Sequence, residues 1–189
     1  MLKTIRAAAA AALFLAAVPA MADEVEQTLQ AALDAYRAGD VATAQQEVDF
    51  AASLLAKMKA ESLAAYLPDA LEGWQITEEN AGAQMAAMMG GGLVANRSYQ
   101  GPDGENVDIT LMADNPMVAS LGAMFGNAAL AGSMGEMRRI AGQRAVVTPD
   151  GEINAMVANR FLVQVAGSAT VEDKESYFGA IDFEALGQF

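Results

Sequence analysis

The hydrophobic period of this chain changes once, across Leu67-Pro68-Asp69-Ala70-Leu71-Glu72-Gly73-Trp74, and that change sets the fold class. Upstream, apolar residues recur at helical spacing: Val25, Leu29, Ala32, Leu33 and Tyr36, then Val41, Ala44, Val48, Ala51, Leu54, Leu55, Met58 and Leu63. Between the two sets, Gly39 suits a helix C-terminal cap and Asp40 an N-cap, so residues 23–66 are expected to form an antiparallel helical hairpin. Downstream, β-branched and alternating segments take over: Trp74–Glu79, Leu93–Tyr99, Asn106–Ala113, Met137–Ala141, Ala145–Thr148, Ile153–Val157 and Phe161–Ala166. Pro-Asp-Gly-Glu occurs twice between such segments, at Pro102–Glu105 and Pro149–Glu152, where proline presets a turn and glycine accepts a positive φ. The expected architecture is α+β: a helical hairpin, a boundary at Leu67, then a mainly antiparallel sheet with two helices packed on it.

One of those helices opens at Asn115-Pro116 and carries Met117, Leu121, Met124, Phe125 and Ala128 on one face; the other opens at Thr170 with Val171, Tyr177, Phe178 and Ile181. No residue from Asn115 to Gly135 is charged, so the reverse face of the first helix, with Ala119, Ser120, Ala123 and Asn127, is small and mild, as suits a covered surface. Ala35-Tyr36-Arg37-Ala38-Gly39-Asp40, with Ala44 and Ala51, resembles the second part of one tetratricopeptide repeat; its first-helix signature is missing, so no stacked-repeat groove is implied. The Pro-x-x-x-x-Gly-Trp entry, the run of hairpins and the two helices resemble the small α/β sandwiches of the PsbP and Mog1 type from Leu67 to Phe189. That resemblance implies a binding or assembly role without catalytic residues. The chain is also similar to a family of exported proteobacterial proteins.

The N-terminus reads as an export address. Lys3 and Arg6 precede an Ala-rich apolar run, followed by Pro19-Ala20-Met21-Ala22, and small residues at Ala20 and Ala22 place cleavage before Asp23. Without paired arginines ahead of the run or a cysteine at the cut, the expected route is the general secretory one, to the periplasm and without a lipid anchor. Of 11 basic residues, 9 remain after Lys3 and Arg6 are removed, against 24 acidic ones, a net charge of −15. Nucleic acid and anionic lipid are excluded as partners on that sign, and no stretch of the mature chain is apolar enough to span a membrane.

There is no histidine and no cysteine, which removes the usual general base, the thiolate nucleophile and the common zinc and haem ligands together. Catalysis would have to use carboxylates, as in an envelope polysaccharide hydrolase, with two acids facing one cleft. No cofactor is expected. Among 12 methionines, Met85, Met88 and Met89 precede Gly90-Gly91-Gly92, and this uncharged segment from Ala81 is the expected partner-contact surface for a protein partner or for self-association. The alternative use of the same three thioethers is to hold Cu(I). The two Pro-Asp-Gly-Glu turns are too short for calcium loops, and Trp74 suits a core anchor. The resulting expectation is an exported, non-catalytic binding protein.

Overall fold

The computed structural model describes residues 18–81, 86 and 91–189. The chain divides into two compact units between Leu54 and Leu55, inside a helix, twelve residues before the Leu67 boundary drawn from the sequence. In the first unit, α1 (Val18–Arg37) is followed by the start of α2 (Val41–Ala64). The turn between them has the expected chemistry. Gly39 takes a φ of +81°, its N–H donates to the Tyr36 carbonyl, and the Asp40 N–H donates to Ala35. Asp40 then caps α2, accepting from the Thr43 N–H at 3.1 Å and the Thr43 hydroxyl at 2.8 Å. These bonds hold its carboxyl below the usual aspartate value. Val25, Ala32, Ala44, Ala51 and Leu54 are buried, small residues for the most part. The hairpin expected for this region is present.

The second unit is built on one sheet of seven strands: β1 (Gln75–Ala81), β2 (Leu93–Gln100), β3 (Asn106–Ala113), β4 (Glu136–Ile140), β5 (Gln143–Val147), β6 (Ile153–Val157) and β7 (Phe161–Ala166). Their order is β1-β2-β3-β7-β6-β5-β4, and every neighbouring pair is antiparallel. Two meanders, β1–β3 and β4–β7, are therefore joined by the single pairing of β3 with β7. The two Pro-Asp-Gly-Glu turns have one geometry. The residue before proline (Gly101 or Thr148) donates to the glutamate carbonyl at 2.9 Å and accepts from the turn glycine at 3.2 and 2.9 Å, with glycine φ of +87° and +75°.

Alternation along the strands sends Ala95, Tyr99, Val107, Ile109, Leu111, Val163, Val165, Ile153 and Ala155 to one face. There they form the main core with Leu63 and Ala64 from the end of α2 and with two C-terminal helices, α5 (Val171–Gly179) and α6 (Phe183–Gln188). Thr170 caps α5, as the sequence suggests, and Asp182 caps α6, a short helix for which the sequence analysis had only a docked tail. The entry into the sheet is clamped by polar groups. Arg97 donates from Nη1 to the carbonyls of Leu67 (2.9 Å) and Pro68 (3.0 Å), and from Nη2 to Glu79 at 2.9 Å, while the Tyr99 hydroxyl donates to Pro68. Burial pushes the Tyr99 phenol well above its ordinary pKa. Trp74 stands edge-on to Tyr177 at 5.2 Å between ring centres, half-buried, consistent with an anchoring role.

The uncharged stretch after Asn115 is two helices, not one. Gly126-Asn127 separates α3 (Pro116–Phe125) from α4 (Ala128–Met134), and Asn127 caps the latter by accepting from the Ala129 and Leu130 N–H groups. An Asn side chain competes with helix continuation and favours a cap, a signal that the apolar periodicity masks. Among the described residues no helix is long and apolar enough to cross a membrane.

Candidate functional site

The second face of the sheet is divided across its strands into an apolar half and a polar half, because successive cross-strand rows differ in composition. One row runs Val94, Met112, Leu162, Met156 over β2, β3, β7 and β6. The next, two residues along each strand, runs Asn80, Asn96, Thr110, Gln164, Asn154 over β1, β2, β3, β7 and β6.

The apolar row is covered. Val118 of α3 is buried on it, with Leu121 and Phe125 packed alongside, and Ala86 is buried in the same cluster at 5% exposure. Ala86 belongs to the connection between β1 and β2, the segment singled out from the sequence. Met85, Met88, Met89 and Gly90 lie outside the described residues, and contacts are described for two residues of this stretch. Ala86 is one. At the other, the Gly91 N–H donates to the Ala86 carbonyl at 2.7 Å, and the Gly91 carbonyl accepts from the buried Asn115 side chain. Gly91 and Gly92 have φ of +97° and +83°, and a Cβ on Gly92 would lie 2.6 Å from the Ala113 carbonyl oxygen. These two glycines are thus required by the backbone path, whatever they contact.

The outcome is a convergence that the sequence spacing did not reveal. No residue is charged from Asn80 to Asn96, and none from Asn115 to Gly135. In the structure these two separate stretches meet at Ala86, Val94, Val118, Leu121 and Phe125. Outward of that contact, Ala119, Ser120, Ala123, Ala129 and Leu130 are exposed, and Met137 at the start of β4 extends the surface at 41% exposure. The small reverse face of α3, expected to be covered, is thus open among the described residues. Ala20, Ala22 and Asp23, read from the sequence as an export cleavage site, fall in the first turns of α1.

On β2 and β3 the polar row and its neighbours are joined by hydrogen bonds. The Asn96 amide donates to Thr110 Oγ1 at 3.0 Å and to the Ile109 carbonyl at 3.1 Å; the Asp108 carboxylate accepts from Ser98 and from Asn106; and Asn106 in turn binds Ser168. Gln164 and Asn154 carried this signal as the one polar member of β7 and of β6, whereas Asn96 and Thr110 lie among other polar residues of β2 and β3, and only register could align all four in one row.

A broad depression of about 590 Å³ at the other side of β4 is lined by Glu136, Asp150 and Glu172 together with Arg138. All three carboxylates are exposed, and Arg138 already holds Glu136 at 3.3 Å. Among the described residues no group of three or more acidic side chains is placed to hold a metal ion.

No family model, no curated protein and no solved structure matches this chain.

Proposed function

We propose that this chain is an exported, non-catalytic periplasmic protein that binds a protein partner, or a second copy of itself, through the uncharged surface around the β1–β2 connection and α3. The observation that carries this reading is the meeting of two long charge-free stretches at one end of the sheet in a chain of net charge −13. A surface kept free of charge in so acidic a protein costs solubility, and such patches mark contact sites. The exposed apolar residues of the N-terminal helices, Leu29, Leu33, Tyr36, Val48 and Phe50, add a second surface of the same kind.

Carboxylate catalysis has less support. A general acid needs a carboxyl held in an apolar, water-poor wall, whereas Glu136, Asp150 and Glu172 are open to solvent around a wide depression. The export address read from Lys3, Arg6, Ala20 and Ala22 supplies the compartment.

The test places a photo-crosslinking residue at Ala123 or Leu130 in the cell envelope and identifies what is captured. One recurrent partner, lost when Ala123→Glu and Leu130→Glu are combined, supports the reading; capture unaffected by those charges removes the surface from consideration. Replacing Met85, Met88 and Met89 together by leucine leaves capture intact, since leucine conserves volume and apolarity. If the native chain binds one equivalent of Cu(I) and the triple variant none, the thioether alternative replaces the partner reading.

A further inference from the structure

The two edges of the sheet carry opposite charge. β1, at one edge, presents Glu78 and Glu79; β4, at the other, is Glu-Met-Arg-Arg-Ile, paired among the described residues with the single strand β5 and exposed from Glu136 to Arg139. We propose that β4 is a docking edge for an extended acidic segment of a partner protein, which joins the sheet as an eighth strand.

Three features of β4 lead to this assignment. First, an open edge offers a row of backbone donors and acceptors to any extended chain, and strand addition is a recurring mode of peptide recognition. Second, the β4–β5 hairpin is basic in an acidic protein, with three arginines against Glu136, while Asp150 and Glu172 line the depression on its other side. Arg138, Arg139 and Arg144 fall within one hairpin of a chain whose acidic residues number 24 against 11 basic. Arg138 is engaged internally, by Glu136 at 3.3 Å and Glu175 at 2.7 Å. Arg139 and Arg144 stand opposite each other across β4 and β5, and neither forms an ion pair with a carboxylate among the described residues, although Arg139 donates to the Gly142 carbonyl at 2.9 Å within the hairpin turn. Like charges directly opposite on two strands destabilise the pairing, and an acidic side chain laid beside them relieves that repulsion. Third, a cavity of about 50 Å³ opens between α3 and this hairpin, lined by Gly122, Phe125, Met137, Arg144 and Met156. Met137 is its β4 wall and the rest of the lining lies on β5, β6 and α3, so it takes a long side chain of an added strand that crosses over β4, and such pockets give strand addition its specificity.

A second copy of the chain fits this edge less well. A twofold pairing of β4 with β4 over its full length sets Arg138 against itself, and a full-length twofold pairing of β1 with β1 sets Glu78 against itself. Joining β4 of one copy to β1 of the next makes an open-ended row, which an exported protein at working concentration avoids. The inference concerns a surface built on β4 and stands whether or not the uncharged surface binds anything.

The test uses the purified protein and a capped seven-residue peptide of alternating Glu and Val, with Lys-for-Glu and Gln-for-Glu versions as comparisons. Expected are binding of the acidic peptide alone, weakening about tenfold between 50 and 300 mM salt, and slowed hydrogen exchange at β4 amides. Arg139→Glu with Arg144→Glu, both exposed and free of internal ion pairs, weakens binding about tenfold or more, while Arg37→Glu, the same reversal on α1 of the other unit, leaves it within about twofold. The Gln double variant at the same two positions gives an intermediate loss, which separates charge from fold damage. Failure of the acidic peptide to bind, binding without β4 protection, or equal loss in the Arg37 variant each overturns the proposal. So does concentration-dependent self-association abolished by the β4 reversals, which would make the occupant a second copy.

Discussion

Arg160, in the turn between β6 and β7, closes a two-point ion pair on Asp114 at the end of β3, Nε to Oδ1 at 3.0 Å and Nη2 to Oδ2 at 2.8 Å. The same guanidinium lies over the rings of Phe161 and Phe189 at 5.0 and 5.8 Å, so one side chain joins the central strand seam to the C-terminal residue. Hydrogen bonding to Arg160 holds the Asp114 carboxyl below its ordinary value of 3.8. Because the folded pKa lies below the unfolded one, the pair stabilises the fold above pH 3.8 and this contribution fades as pH falls through the folded value. Asp114→Asn is expected to cost about 0.5 to 1 kcal/mol at neutral pH, the discount reflecting an exposed pair. Urea titrations of both proteins from pH 7 to pH 2.5 should show the difference vanishing at the acid end; a constant difference would falsify the assignment.

Arg97 is the polar clamp of the domain entrance, and its removal uncovers more than one charge. With the carbonyls of Leu67 and Pro68 deprived of their donor and Glu79 unpaired, Arg97→Met is expected to destabilise by about 3 kcal/mol, with Arg97→Lys recovering only part because an ammonium cannot span the same acceptors. Denaturant midpoints at constant slope measure both.

Adjacent glycines should respond differently to alanine. Gly91 has a positive φ but open space around its α-carbon, so Gly91→Ala should cost about 1 kcal/mol of backbone strain. Gly92→Ala adds a clash with the Ala113 and Asp114 carbonyls, backbone atoms that cannot step aside, and should cost more than about 2 kcal/mol. Equal losses in thermal melts would show that the connection relaxes away from β3.

Glu105, at the end of the first Pro-Asp-Gly-Glu turn, tucks its carboxylate over Gly101 beneath Trp74, and its Oε2 is buried with no hydrogen-bond partner. A neutral amide loses less on leaving water, so Glu105→Gln is expected to raise stability by about 1 kcal/mol. A lowered midpoint would mean the carboxylate has a function worth its strain.

Most of the fold was legible because local chemistry and global pattern agree. The capped break at Gly39-Asp40, the paired turns and the alternation in Ile153–Val157 each allow one local structure, and all are found. The break at Asn127 was hidden by an apolar period that runs through it, and α6 by its brevity. Val118, deepest of the α3 residues in the second cluster, was passed over because a β-branched residue beside Met117 and Leu121 does not mark a helix face by itself. The site was less legible for a different reason. Charge-free runs at 80–96 and 115–135 are visible one at a time, but their meeting depends on which strand neighbours which, and strand order is not a local property. The basic edge at β4 is likewise invisible until β4 is known to be last in the sheet.

The pairing of β3 with β7 is the one strand pairing that the two meanders share among the described residues, and the covalent path between them runs through α3 and α4. A backbone cut at Gly126-Asn127 would therefore leave each fragment a whole meander, ending in a raw apolar strand that matches the other over six residue pairs. Neither fragment could keep that edge in water by itself, and each is the natural template for the other. The molecule is in effect a split protein waiting to be divided, able to report the encounter of whatever its two halves are fused to.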